Sequence, residues 1–258
     1  MRPHLLALAL VAALAGCQQA ETPTAASTTP AAETAGTAAV DADFAALSKR
    51  ALDTWMQHSP VGATQIGDHR FDSEVDDLSA AGQQKTLAAY KALLADLEKI
   101  DVAKLGRENQ VDAAILRNQL QSDIWNAEVL QSARWDPQVY NGLAGSAIYG
   151  LMAREFAPLP ERLKSATARM EKIPAIFAQA RENLDPARVP KIHAETVAKQ
   201  NRGILSIVDT FITPHIGELP QADQQRLQAA IDGLKKAVDE QQQWLDKTLV
   251  PNAKGEFR

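Results

Sequence analysis

The residue with the most specific chemistry in this chain is its single cysteine, Cys17, which directly follows Leu14-Ala15-Gly16. A basic start at Arg2 and an unbroken apolar run from Leu5 to Leu14 precede it. Small residues before a cut and a cysteine after it are what a bacterial lipoprotein-processing peptidase requires. The thiol is acylated, and cleavage leaves Cys17 as the new N-terminus. The apolar run is about half the ~20 residues that span a bilayer, so residues 1–16 read as a secretory signal and not a transmembrane helix. Each buried methylene of an acyl chain adds about 0.8 kcal/mol of membrane affinity, so several chains anchor firmly. The membrane is therefore an expected partner, through lipid on Cys17. Gln18, not Asp, follows the cysteine, which favours the outer membrane with the body facing the periplasm. With Cys17 acylated, no thiol remains for a disulfide, a nucleophile or a metal.

Other chemistry is sparse. None of the five histidines (His4, His58, His69, His193, His215) is followed by glutamate. The helical zinc-hydrolase motif needs two histidines on one helix face with a glutamate base, and it is missing from these 258 residues. Each histidine reads as a solvated or capping residue. No Gly-x-Ser-x-Gly elbow or phosphate-binding glycine loop occurs. Asp72, Glu74, Asp76 and Asp77 lack the spacing of a calcium loop and read as a solvated acidic loop before a helix cap at Ser79. Two stretches carry more. Arg134 to Asn141 places Trp135 and Tyr140 with an amide around a helix start, suited to a core junction or to a groove wall. Arg162, Arg169 and Arg181 are surface charges or, facing a cleft, bidentate partners for a carboxylate.

The elements that must position these residues are helical. Residues 17–42 are mostly Ala, Thr, Glu, Pro and Gly, with Val40 the one large aliphatic side chain, and read as a lipidated cysteine and a flexible tether. From Asp43 the pattern changes. Leu87, Tyr90, Leu94 and Leu97 recur at three- and four-residue steps, as do Leu116, Leu120, Ile124 and Ala127, and Leu227, Ile231, Leu234 and Val238. These are single apolar stripes on helices. Pro160, Pro190 and Pro220 stand at helix starts. The reading is an all-α domain over 43–258 with about seven long antiparallel helices, near 43–57, 79–100, 107–131, 138–154, 160–183, 190–212 and 220–249. Pro174 should kink or split the fifth. The net charge is −5, with cations scattered among acids, so no nucleic-acid partner is expected. No heptad run suits a coiled-coil rod.

Ser59-Pro60-Val61-Gly62-Ala63-Thr64-Gln65-Ile66-Gly67, then Arg70, Asp72 and Leu78-Ser79, resembles the opening of a bacterial family labelled domain of unknown function 885. Pro137 to Tyr140, Arg162, Ala168-Arg169-Met170, Ile173-Pro174, Ala180-Arg181 and Asn183-Leu184 follow in the family's order. The resemblance implies an exported lipoprotein related to helical zinc peptidases of the zincin type, with a peptide as substrate. In that family the metal element, similar to HExxPGH, lies in a C-terminal half, and no position here matches it. The resemblance thus implies no catalytic residue, metal ligand or cofactor in these residues, zinc being expected only with a C-terminal half beyond Arg258. It makes Tyr140, Asn141 and Arg169 candidates for the wall of a substrate cleft. Two readings stand: the N-terminal helical portion of a lipid-anchored peptidase-like protein, inactive alone, or a non-catalytic helical lipoprotein that binds a peptide or a partner protein.

Overall fold

The computed structural model describes residues 31–256. The signal, Cys17 and the first part of the tether lie outside them. The described residues are all-α, with eight helices of nine residues or more and three short ones. In chain order they are α1 (Ala31–His58), α2 (Pro60–Ile66), α3 (Ala80–Leu97), α4 (Arg107–Trp125), α5 (Ser132–Trp135), α6 (Gln138–Met152), α7 (Leu159–Asn183), α8 (Lys191–Gln200), α9 (Gly203–Phe211), α10 (Gln221–Trp244) and α11 (Val250–Asn252). Wider π turns, Asn126–Leu130 and Leu245–Leu249, continue α4 and α10. None of the described helices is long and apolar enough to cross a membrane.

Two apolar cores organise the chain. The first holds Phe44, Leu47 and Ala51 of α1, Leu93 and Leu97 of α3, and Ala113, Leu116 and Leu120 of α4. The second, larger core is built by α6 to α10 around Ile148, Leu151, Met170, Ile173, Phe177, Leu234 and Val238. Of the stripes read from the sequence, Leu94 and Leu97, Leu116 and Leu120, and Leu227, Ile231, Leu234 and Val238 pack in these cores, whereas Leu87 and Ala127 do not. Burial, at about 25 cal/mol per Å² of apolar surface, holds both bodies together.

Four differences from the sequence reading have identifiable physical causes. Helix α1 begins at Ala31, inside the stretch expected to be tether through residue 42. That stretch is rich in alanine, the best helix former, and elongating an existing helix needs no new nucleus. Val40 packs on the first core, and the Asp41 carboxylate accepts from the Gly106 amide at 3.0 Å. The expected helix 190–212 is two helices, broken at Asn201 and Arg202. Asn201 is fully buried and donates to the Val238 carbonyl (3.0 Å) and to Gln242 Oε1 (3.1 Å), which fixes the break against α10. Helix α7 runs unsplit through Pro174. Met170, Ile173, Ile176 and Phe177 are all buried around the proline, and that packing outweighs the ~3 kcal/mol that an interior proline costs. Helix α2 is the fourth difference. It is short, and Gly67 closes it with φ 94°, a left-handed conformation open to glycine.

Candidate functional site

A groove runs between the two cores. It consists of adjoining hollows of about 420 and 330 Å³ that share Gln83, Leu87, Ala127 and Gln131. The larger is also lined by His58 from the end of α1, Asp76 and Asp77 from the loop before α3, Tyr90 of α3 and Asp123 of α4. Each side chain is held by neighbours. His58 Nδ1 and Thr86 Oγ1 are 2.9 Å apart, and the imidazole meets the Tyr90 ring edge-on at 6.4 Å. Trp55 Nε1 donates to Asp123 Oδ2 at 3.1 Å, and Gln119 donates to its other oxygen at 2.9 Å. Asp76 accepts from Ser59 Oγ (2.8 Å) and from the Val61 amide (3.0 Å).

Burial dominates the electrostatics. It raises the carboxyls of Asp76 and Asp123 above the ordinary aspartate range, against the bonds that each accepts. The Tyr90 hydroxyl is pushed up to about 12, by burial first and then by the facing charges of Asp123 and Asp76. Burial, with Lys85 nearby, lowers His58. The larger hollow thus presents three aspartates with no lysine or arginine among its lining residues. Such a surface favours cations and hydrogen-bond donors, and groups with displaced pKa values in a cleft are what binding and proton-transfer sites use.

The floor of the groove is shaped by its backbone. The π turn after α4 ends at Gln131, whose φ of 55° is left-handed for a side-chain-bearing residue. Its amide closes the turn on the Asn126 carbonyl at 2.6 Å, and its Oε1 accepts from Arg188 at 2.7 Å. Single π turns recur at functional positions in helices. On the opposite side, Ser79 caps α3 by accepting from the Gly82 amide at 3.1 Å. Gly82 must be glycine, because a Cβ there would run into the Asp77 carbonyl and carboxylate.

The structure separates the three residues proposed for a cleft wall. Arg169 is fully buried. Its guanidinium donates to the carbonyls of Glu74 (2.8 Å), Ala147 (3.1 Å), Pro60 (3.0 Å) and Phe71 (3.3 Å) and to Thr64 Oγ1 (2.7 Å). It therefore pins α2 and the 67–76 loop onto α6 and α7 and presents no face to a ligand. Burial lowers its pKa to about 10, opposed by Asp72, Asp76 and Glu74, which leaves it charged at neutral pH. Tyr140 is also buried and lies one layer behind the groove. Its hydroxyl donates to the Ala133 carbonyl (2.7 Å) and accepts from Asn183 Nδ2 (3.0 Å), which also holds the Leu78 carbonyl. Asn141 is half-buried, and its Oδ1 is enclosed without a protein partner.

The acidic loop is not uniformly solvated. Asp72 is buried, accepting from Thr64 Oγ1 at 2.6 Å with His69 Nδ1 at 2.9 Å, and the His69 ring stacks on Phe156. Glu74 stays at the surface and pairs with Lys172. Arg162 is buried as well and caps the end of α6 through the Leu151 and Met152 carbonyls. His58, Tyr90 and Asp123 were missed as site residues. The available signal was polar residues at helical spacing within the apolar stripes: Trp55 with His58, Thr86 with Tyr90, and Gln119 with Asp123.

Residues 60–258 match a family described as bacterial protein of unknown function (DUF885). Among solved structures, a candidate lipoprotein of unknown function from Shewanella oneidensis is similar, with a TM-score of 0.76 and 32% sequence identity. The similarity covers 83% of this chain and 39% of that one, so the chain spans well under half the length of the structure it matches. The search of curated proteins found no match.

Proposed function

The chain belongs to the DUF885 family, and from that premise we propose that it forms one wall of a peptide-binding cleft in a longer, lipid-anchored protein of the bacterial envelope. The observation that carries the reading is the acidic groove between the two cores, lined by His58, Asp76, Asp77, Tyr90 and Asp123. Its carboxylates suit the amino terminus or a basic side chain of a peptide, and Leu78, Leu87 and Val139 supply apolar contact. The similarity to a candidate lipoprotein of unknown function from Shewanella oneidensis supports the envelope assignment. In this reading Cys17 carries the lipid and the body faces the periplasm from the outer membrane.

Hydrolysis of the bound peptide by a zinc-activated water would match the zincin resemblance. The described residues do not fit that metal, because no three His, Cys, Asp or Glu side chains among them are grouped to hold one. We therefore assign these residues binding and positioning roles only. The ligands and general base of a peptidase would come from the length that this chain does not span. A second reading, a non-catalytic peptide-binding lipoprotein, is favoured by one feature: the groove is complete within residues 58–183.

The test is equilibrium binding of short basic and acidic peptide pools to the purified chain, measured by competition against a fluorescently labelled basic peptide. Basic peptides should bind more tightly, and Asp77→Asn with Asp123→Asn should weaken them at least tenfold. Indifference to peptide charge, or no binding from any pool, would sink the proposal. Zinc content and peptide hydrolysis, measured on the natural reading frame continued past Arg258, decide between the two readings.

A further inference from the structure

Helix α4 is apolar on two faces. Ala113, Leu116 and Leu120 are buried in the first core. Val111, Ile115, Trp125 and Val129 lie on another face of α4 and its π turn, 44%, 62%, 52% and 60% exposed. The intervening positions on that face, Asn118 and Ser122, are also exposed and uncharged. A surface helix of a globular domain carries one apolar stripe, and the second here has no partner among the described residues. Over eighteen residues at 1.5 Å each, the stripe runs about 27 Å.

At its end lies a hollow of about 520 Å³ lined by Trp125, Val129, Leu130 and Trp135 and, on its far side, by Gly255 and Glu256. Those last described residues are pinned there. The Lys254 amide donates to the Pro186 carbonyl (3.0 Å) and the Gly255 amide to the Val189 carbonyl (2.9 Å). A Cβ at Gly255 would collide with the Arg188 carbonyl, so the backbone is pressed against this edge. The similar solved protein has more than half of its length outside the matched part.

We propose that this second face of α4 is the docking surface for the polypeptide that corresponds to that unmatched length. The segment 253–256 delivers it to the hollow beside Trp125, and it then covers Val129, Trp125, Ile115 and Val111. The proposal rests on the reading above that the chain is part of a longer protein. Trp125 is the anchor, since a large aromatic set in a hollow carries much of the energy of an apolar interface.

Cysteine accessibility tests it. Val129→Cys, in a background with Cys17→Ser, is made at two lengths: ending at Arg258, and continued along the natural reading frame. Maleimide labelling should be at least tenfold slower in the longer product. Lys236→Cys, on the exposed side of α10, should label equally in both. Equal rates at Val129→Cys, or a reading frame that stops at Arg258, overturn the proposal. So does protection of the shorter chain by self-association in sedimentation or by phospholipid vesicles, since a second copy or a membrane would then be the occupant. Zinc and peptide binding are measured on the same products. Protection without either leaves the docking surface standing while the proposed function fails.

Discussion

Arg169→Met should destabilise the chain by about 3–5 kcal/mol, in the range found when one partner of a buried charged network is removed. The structure shows where this cost arises. Five hydrogen bonds are lost, but most acceptors keep a second partner. The Pro60 and Ala147 carbonyls sit inside α2 and α6, where helix geometry pairs each with the amide four residues on. The Phe71 carbonyl still accepts from the Glu74 amide, and the one Thr64 hydroxyl proton still goes to Asp72 at 2.6 Å. Among the described residues the Glu74 carbonyl accepts only from Arg169, and orphaning it costs roughly 1–3 kcal/mol. The remainder comes from removing the positive charge that interacts with Asp72, Asp76 and Glu74 and from the volume that methionine leaves unfilled. Against a typical stability of about 5–15 kcal/mol this is a large fraction. At roughly 2–4 °C per kcal/mol for a domain of this size, Tm should fall by about 6–20 °C. Urea unfolding followed by circular dichroism measures the loss. Arg169→Lys should recover less than half of it, because one ammonium cannot reach five acceptors spread over three segments. A loss below about 1 kcal/mol for Arg169→Met would refute the structural role. Weakened peptide binding at unchanged stability would return Arg169 to the cleft wall.

Gly82→Ala should cost about 1–3 kcal/mol through the collision of its Cβ with Asp77, and Ser79→Ala about 1 kcal/mol through loss of the α3 cap, both read from urea midpoints. Asp123 has its pKa raised in the fold, so its ionisation opposes folding: the penalty is absent below the unfolded value near 3.8 and grows as pH rises towards the folded value. Asp123→Asn should therefore raise Tm at pH 7 relative to its effect at pH 3; equal effects at both would contradict the assignment. His58 has its pKa lowered in the fold, so its contribution is present above about 6.5 and is lost as pH falls. Replacing it with Gln should flatten the stability profile between pH 7 and 5, which thermal melts across that range would show.

The helical class was legible because the apolar stripes repeat at the helical period, and a stripe such as Leu227, Ile231, Leu234 and Val238 has no other way to leave water together. Ser79 as a cap and the prolines at helix starts were equally local, since each acts on backbone groups within one turn. The early start of α1, the break at Asn201 and the continuity through Pro174 were not legible. Each depends on a partner distant in sequence: Gly106 for Asp41, Val238 and Gln242 for Asn201, and the surrounding core for Pro174. The same holds for function. The expectation for Cys17 rested on its adjacent residues alone, because an enzyme that processes lipoprotein signals would read only that local segment. Arg169 and Asp123 cannot be read that way. One is an internal clamp and the other lines a groove, and their residue types were equally compatible with either place. Only the packing of α2 and its following loop against α6 and α7, and of α1 against α3 and α4, decided which charge was enclosed and which faced solvent, because burial is a property of neighbours brought together from across the chain.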